Sequence, residues 1–144
     1  MNTIIQKRKR CFKCGTPYVE DHHIFFGTAN RKLSEKYGLK LWLCPKHHRT
    51  GPEAPHRNRE VDLEYKELGQ MVFEENHTRE EFRNIFGKNH LWGDEMDMDQ
   101  MITAFLEEID KIKKDIQLNC NEAALIRINY LERELKEKLK EEEN

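Results

Sequence analysis

Two short knuckles constrain this chain more than any other feature: Cys11-Phe12-Lys13-Cys14 and Cys44-Pro45-Lys46-His47. A tetrahedral structural zinc takes four thiolate or imidazole ligands, commonly as two pairs with two residues between the members, so that both reach one ion. Both knuckles meet that rule, and they bracket a segment that reads as a short hairpin. Cys11, Cys14, Cys44 and His47 are therefore expected to hold one structural Zn2+. Four reduced, partly buried side chains without metal are the bland alternative, which leaves the pairing unexplained. A redox role for Cys11-x-x-Cys14 is disfavoured, because no βαβ pattern surrounds it.

The remaining bounds come from length and charge. At 144 residues the chain accommodates one modest domain and an appendage. Hydrophobic residues make up 37% and charged residues 36%, a thin balance for a globule and a natural one for a domain with an exposed helical tail. The net charge of -2 conceals an asymmetry: residues 1–60 carry thirteen Lys/Arg against five Asp/Glu, and residues 93–144 carry eight against fifteen. A basic half points to a polyanion partner and an acidic appendage to solvent or protein. The basic run Lys7-Arg8-Lys9-Arg10 is followed by no long apolar stretch, so neither a secretory signal nor a membrane span is expected. The expected location is the cytosol, where disulfides are disfavoured and metal binding is the better use of the cysteines.

Along the chain, residues 11–59 form a site-rich, loop-rich module. Tyr18 to Phe26 and Leu39 to Leu43 are β-prone runs, joined by a segment that starts a helix at Thr28 and stops it at Gly38. Pro45 suits a first helical turn, so Cys44 to Arg49 reads as strand end, tight turn and helix start. Val61, Tyr65, Leu68 and Val72 make one face of an amphipathic helix whose role is core packing. Thr78 and Glu81 have the form of a capping box, and Gly87 closes the short helix carrying Phe82, Ile85 and Phe86.

The acidic segment Gly93 to Asp99 breaks the pattern. Beyond it, Met98, Ile102, Phe105, Ile109, Ile112 and Ile116 repeat as a heptad seam, and a second seam runs through Ala124, Ile128, Leu131 and Leu135. The two are out of phase, so the helix either stutters or turns back. Asn119 and Glu122 resemble a capping box, which favours a hairpin over one long coiled-coil helix. The expectation is an α+β chain with a small zinc-stapled domain over residues 1–92 and an acidic helical tail, hairpin or coiled coil, over residues 93–144. Residues 97–140 are expected to self-associate or meet a protein partner.

With the knuckles assigned, His22 and His23 remain on the first strand and His48 at the helix entrance. Successive strand side chains point to opposite faces, so His22 and His23 take different jobs.

The order Cys11-x-x-Cys14, His22-His23-Ile24, Cys44-Pro45-x-His47-His48 resembles the HNH endonucleases of the ββα-metal fold, in the subgroup clamped by zinc knuckles. Residues 25–92, with Phe26-Gly27-Thr28-Ala29-Asn30-Arg31 and Phe86-Gly87-Lys88-Asn89-His90, are more loosely similar to small phage-encoded HNH proteins, including recombination-enhancement nucleases. The resemblance implies a phage or prophage origin and residence in the host cytosol. It implies that His22 and His48 hold one catalytic divalent ion (Mg2+, Mn2+ or another transition metal) and that His23 is the general base. The family's asparagine is missing from its customary place at Gly38-Leu39, and Asn30 is the best substitute. Position 47 is usually cysteine in the family, which leaves His47 and His48 as rival zinc ligands, with spacing favouring His47.

The implied activity is metal-dependent hydrolysis of DNA phosphodiesters, with Arg31, Arg49, Arg57 and Arg59 as phosphate contacts. His56 is a phosphate or metal contact, or an exposed loop histidine. Few aromatics interleave with these charges, so base stacking is not indicated. The runner-up is a non-catalytic zinc module that binds DNA or protein. A zinc nucleobase deaminase is excluded, because neither His-x-Glu nor Pro-Cys-x-x-Cys occurs.

Overall fold

Two four-residue strands make up the whole sheet. In the computed structural model, which describes residues 3–93 and 95–143, β1 (Glu20–His23) pairs antiparallel with β2 (Lys40–Leu43), setting His22 opposite Leu41 and His23 opposite Lys40. The outermost residues of the expected domains, and Asp94 of the expected acidic linker, lie outside the described residues. Among those described, five α-helices and one wide helical turn complete an α+β chain. Contacts divide it into two units, Met1–Leu91 and Trp92–Asn144.

The first strand is shorter than the β-prone run Tyr18 to Phe26. Tyr18 is 80% exposed; Ile24, buried, still donates its N–H to the Leu39 carbonyl (3.1 Å), and Phe25 leaves the ladder for the core. There the buried Ser34 hydroxyl receives the Phe25 N–H (3.1 Å) and donates to the Phe25 carbonyl (2.8 Å), replacing a partner strand. Helix α1 (Thr28–Tyr37), which carries Ser34, lies in the hairpin connection between the predicted bounds. Gly38 ends it with φ of 65°, a left-handed conformation that glycine adopts without strain.

After β2 the predicted helix start yields only one turn, Lys46–Thr50, closed by the Gly51 N–H on the Lys46 carbonyl (2.7 Å). Pro52 biases Gly51 to an extended conformation, and the helix stops. Residues 51–58 then form a loop, and α2 (Arg59–Phe73) begins where the Asn58 side chain accepts the N–H groups of Glu60 and Val61. Val61, Tyr65, Leu68 and Val72 are buried as the periodicity predicts. Gly69 permits the close approach of α2, since a Cβ there would stand 3.1 Å from the Ile24 and Phe25 side chains. Helix α3 (Arg79–Phe86) starts at the predicted Thr78–Glu81 capping box and ends at Gly87; its Phe82 packs on Phe25 and Phe73.

In the second unit α4 (Met98–Gln117) and α5 (Asn121–Glu142) form a helical hairpin about the turn 118–120. The reversal is not made by the predicted Asn119–Glu122 capping box. Asn119 instead takes the left-handed conformation that follows α4 (φ 56°), and Cys120 precedes α5 without a side-chain cap. A capping box does open α4, from Asp97 and Gln100.

The predicted seams also differ from the buried face. Ile112 and Ala124 are buried, but Met98, Ile102, Ile109, Ile116, Ile128 and Leu135 are 40% exposed or more. What occupies the space between the helices is Arg127, 2% exposed, whose guanidinium reaches Glu108 (2.8 Å) and Asp115 (3.1 Å) on α4. Trp92 packs edge-on to Phe105 and against Tyr130, both centroids at 5.2 Å. No helix among the described residues is long and apolar enough to cross a membrane.

Candidate metal centres

The first knuckle is a tight turn: the Gly15 N–H bonds the Cys11 carbonyl (2.8 Å) and the Cys11 N–H bonds the Thr16 carbonyl (2.9 Å). Phe12 N–H on the Trp42 carbonyl (2.8 Å) ties that turn to β2, which ends at the second knuckle. Cys11, Cys14, Cys44 and His47 therefore meet, with all four ligand atoms within 4.8 Å of one another. Cys14 Sγ lies 3.8 Å from Cys44 Sγ, and His47 Nδ1 lies 3.6 Å from Cys11 Sγ and 3.3 Å from Cys44 Sγ.

A tetrahedral zinc with the usual bond lengths requires sulfur–sulfur separations of about 3.8 Å and sulfur–nitrogen separations of about 3.6 Å. A disulfide requires about 2.05 Å. The cluster thus has the dimensions of a structural metal site, and could hold an ion such as zinc. His47 turns Nδ1 to the cluster, while its Nε2 lies 3.9 Å from a Glu53 carboxylate oxygen, beyond hydrogen-bond distance. Burial opposes the Cys11 thiolate, but backbone N–H groups of Cys44, Cys14 and Lys13 outweigh it and hold the thiol below its ordinary value. Burial, followed by the neighbouring Cys11 sulfur, pushes the Cys14 thiol up to about 11 against the opposing Thr16 backbone bond. A cation in the cluster reverses that balance, since a coordinating thiol is deprotonated.

The second cluster contains His22, His48 and His56, whose ligand atoms also lie within 4.8 Å of one another. Strand alternation separates the paired histidines: His22 is buried on one face, and His23 turns toward α1 on the other. His22 is 1% exposed, and neither of its ring nitrogens has a hydrogen-bond partner. A buried polar atom left in that state costs about 1–3 kcal/mol, so two on one ring need a reason. A metal ion supplies one, because an imidazole lone pair directed at a cation is satisfied by it.

The neighbouring histidines have a spacing that could hold such an ion. Glu20 Oε2 accepts from His48 Nδ1 (2.8 Å), so that a neutral His48 would carry its lone pair on Nε2, 3.3 Å from His56 Nε2. Two imidazoles on one tetrahedral ion are separated by about 3.3 Å. Burial, reinforced by His48 and His56, lowers the His22 pKa to about 3, and burial with His48 lowers that of His56. Both rings are therefore neutral near neutral pH, the form in which imidazole can bind a metal. Glu20 is held below the usual carboxylate range by the His48 hydrogen bond first and Arg49 second.

Beside this cluster opens a cleft of about 790 Å³, lined by His22, His23, His48 and His56 and by Arg31, Lys32 and Glu35 of α1. Asn30 is not among its lining residues. Arg49 pairs with Glu20, and Arg57 donates to the Thr50 carbonyl (2.6 Å), while Arg59 is exposed at the start of α2. Of the four arginines predicted to meet phosphate, only Arg31 lines the cleft, where Lys32 joins it. His56, read from the sequence as a phosphate or metal contact or an exposed loop histidine, joins the histidine cluster and is itself exposed.

Sequence reasoning missed Glu20, Glu35, Lys32 and Glu53. Isolated charges in a basic segment look solvated, and no spacing rule links Glu20 to His48 across 28 positions. No family model, curated protein or solved structure matches this chain.

Proposed function

We propose that this chain is a metal-dependent DNA endonuclease of the HNH type, with a structural zinc on Cys11, Cys14, Cys44 and His47 and a catalytic divalent ion on His22, His48 and His56. The observation that carries the reading is His22, a buried imidazole with both nitrogens unpartnered beside two histidines at ligand spacing. With α1 as an insertion, the order β1, β2, α2 supports a ββα arrangement, although one helical turn and a loop precede α2. When bound there, a divalent ion supplies Lewis-acid stabilisation of charge on the phosphate and on the leaving oxygen.

The chain's own residues do the rest. Arg31 and Lys32 attract the phosphodiester backbone to the cleft mouth. His23, on the opposite face of β1 from His22, takes a proton from water as the water oxygen bonds to phosphorus and the bond to the 3′-oxygen breaks. Histidine suits that task because its ordinary pKa of about 6.5 lies near working pH. The hairpin of the second unit is an arm for self-association or a protein partner.

The test is nicking of supercoiled plasmid by the full chain with and without added divalent ions, alongside His23→Ala. Cleavage that needs the ion and is lost in a folded, zinc-loaded His23→Ala protein is the expected result. A wild type inactive with every common divalent ion points instead to a zinc-stabilised binding module.

A further inference from the structure

Glu35 has no part in either metal cluster, yet its carboxylate bridges two residues that face each other across the sheet. His23 Nε2 lies 3.1 Å from Glu35 Oε1, and the Lys40 ammonium bonds the other oxygen, Oε2. Lys40 is the strand partner of His23 in the β1–β2 register and is 1% exposed. A lysine is rarely buried without a paired charge, so Lys40 holds Glu35 in place as much as Glu35 neutralises Lys40. Helix α1 brings Glu35 there because Thr28, Arg31, Lys32 and Glu35 lie on its cleft-lining face at helical spacing.

We propose that Glu35 is the positioning residue for His23, fixing the Nε2–H tautomer and ring orientation, with buried Lys40 fixing Glu35 in turn. An ionised carboxylate only accepts, so a neutral His23 bonded to it must donate from Nε2. Nδ1 is then the nitrogen with a lone pair, the atom that removes a proton from water. The carboxylate, half-exposed but held on its other oxygen by Lys40, also stabilises the imidazolium formed in that step. Lys40, followed by His23, keeps Glu35 below the usual carboxylate range, so it is charged at working pH. The role in catalysis rests on the nuclease reading above; the hold on the tautomer does not.

The rival is a purely structural ion pair that neutralises Lys40 and leaves His23 indifferent. Glu35→Gln removes the charge but strands a buried lysine, so Glu35→Gln with Lys40→Met is the second variant, which leaves no unpaired ammonium. The full zinc-loaded chain, labelled with 15N histidine, is examined by long-range 15N–1H NMR at alkaline pH, with His23 assigned from a His23→Gln sample. The expected result is an Nε2–H tautomer for His23 in the wild type and a mixed or Nδ1–H population in the folded double variant. Plasmid nicking by the same proteins should show kcat lower by roughly ten- to a hundredfold with KM unchanged, within what a general base contributes. A His23 tautomer unchanged in the folded double variant, or Nδ1–H already in the wild type, overturns the proposal. If the tautomer responds as expected and no protein cuts DNA, the nuclease reading fails and the hold of Glu35 on His23 stands.

Discussion

Replacing Cys14 with serine should destabilise the first unit far more than a half-exposed surface change would. The sheet consists of two strands of four residues, and an isolated two-stranded pair is marginal in water. The four-ligand cluster clamps that sheet to the first knuckle through the Phe12–Trp42 backbone bond. Structural zinc contributes on the order of 10–16 kcal/mol of apparent binding energy, or about 2.5–4 kcal/mol for each of four ligands. A domain of this size shifts by about 4–8 °C per kcal/mol, so Cys14→Ser should lower Tm by at least about 10 °C. Chelation should do the same or more. The assay is a thermal scan with metal content measured in parallel, using Cys120→Ser as the control because Cys120 lies in the second unit, outside the cluster. The control should retain the zinc of the wild type. A Cys14→Ser or metal-free protein that melts within about 3 °C of the wild type would refute the argument that zinc holds this fold together.

Three other outcomes are expected. Burial lowers the His90 pKa from 6.5 to about 4, so the unfolded chain binds a proton there before the folded chain does; this stability is complete above pH 6.5 and is lost as pH falls toward 4. His90→Phe, set between Phe25 and Phe82, should flatten the acid side of a denaturation-midpoint profile, and an unchanged slope would count against it. Arg127→Ala empties the space between α4 and α5 and leaves Glu108 with Lys111 alone as its cationic partner, so it should destabilise the hairpin, read as lost helicity by circular dichroism; retained helicity contradicts the role given to Arg127. The half-exposed stripe of Ile128 and Leu135 should drive self-association, so that Ile128→Glu with Leu135→Glu sediments as a 17.4 kDa monomer and the wild type as a larger species; identical sedimentation would remove that role.

What was legible in the sequence was what depends on near neighbours. Both knuckles, the α1 bounds at Thr28 and Gly38, the buried face of α2 and the capping box of α3 follow from spacings of two to four residues. For His56 the sequence left phosphate contact, metal contact and exposed loop histidine open together, because the loop 51–58 brings it to His22 and His48 by a path with no period. Glu20 and Glu35 were hidden for the same reason, since their partners are distant in sequence and near in space. Periodicity identified both helices of the hairpin but not the side they bury. The space between them is filled by an arginine with two carboxylates, a choice that an apolar repeat cannot register.

The claim at the centre of this account is that His22, His48 and His56 bind a divalent ion separate from the zinc. Calorimetric titration of zinc-loaded protein with Mn2+, in the wild type and in His48→Ala, tests it most directly. The account predicts one further Mn2+ per wild-type chain and none in His48→Ala, with the thermal stability of the zinc-loaded variant near that of the wild type. A wild type that takes up no second ion, or a variant that still takes up one, would contradict it.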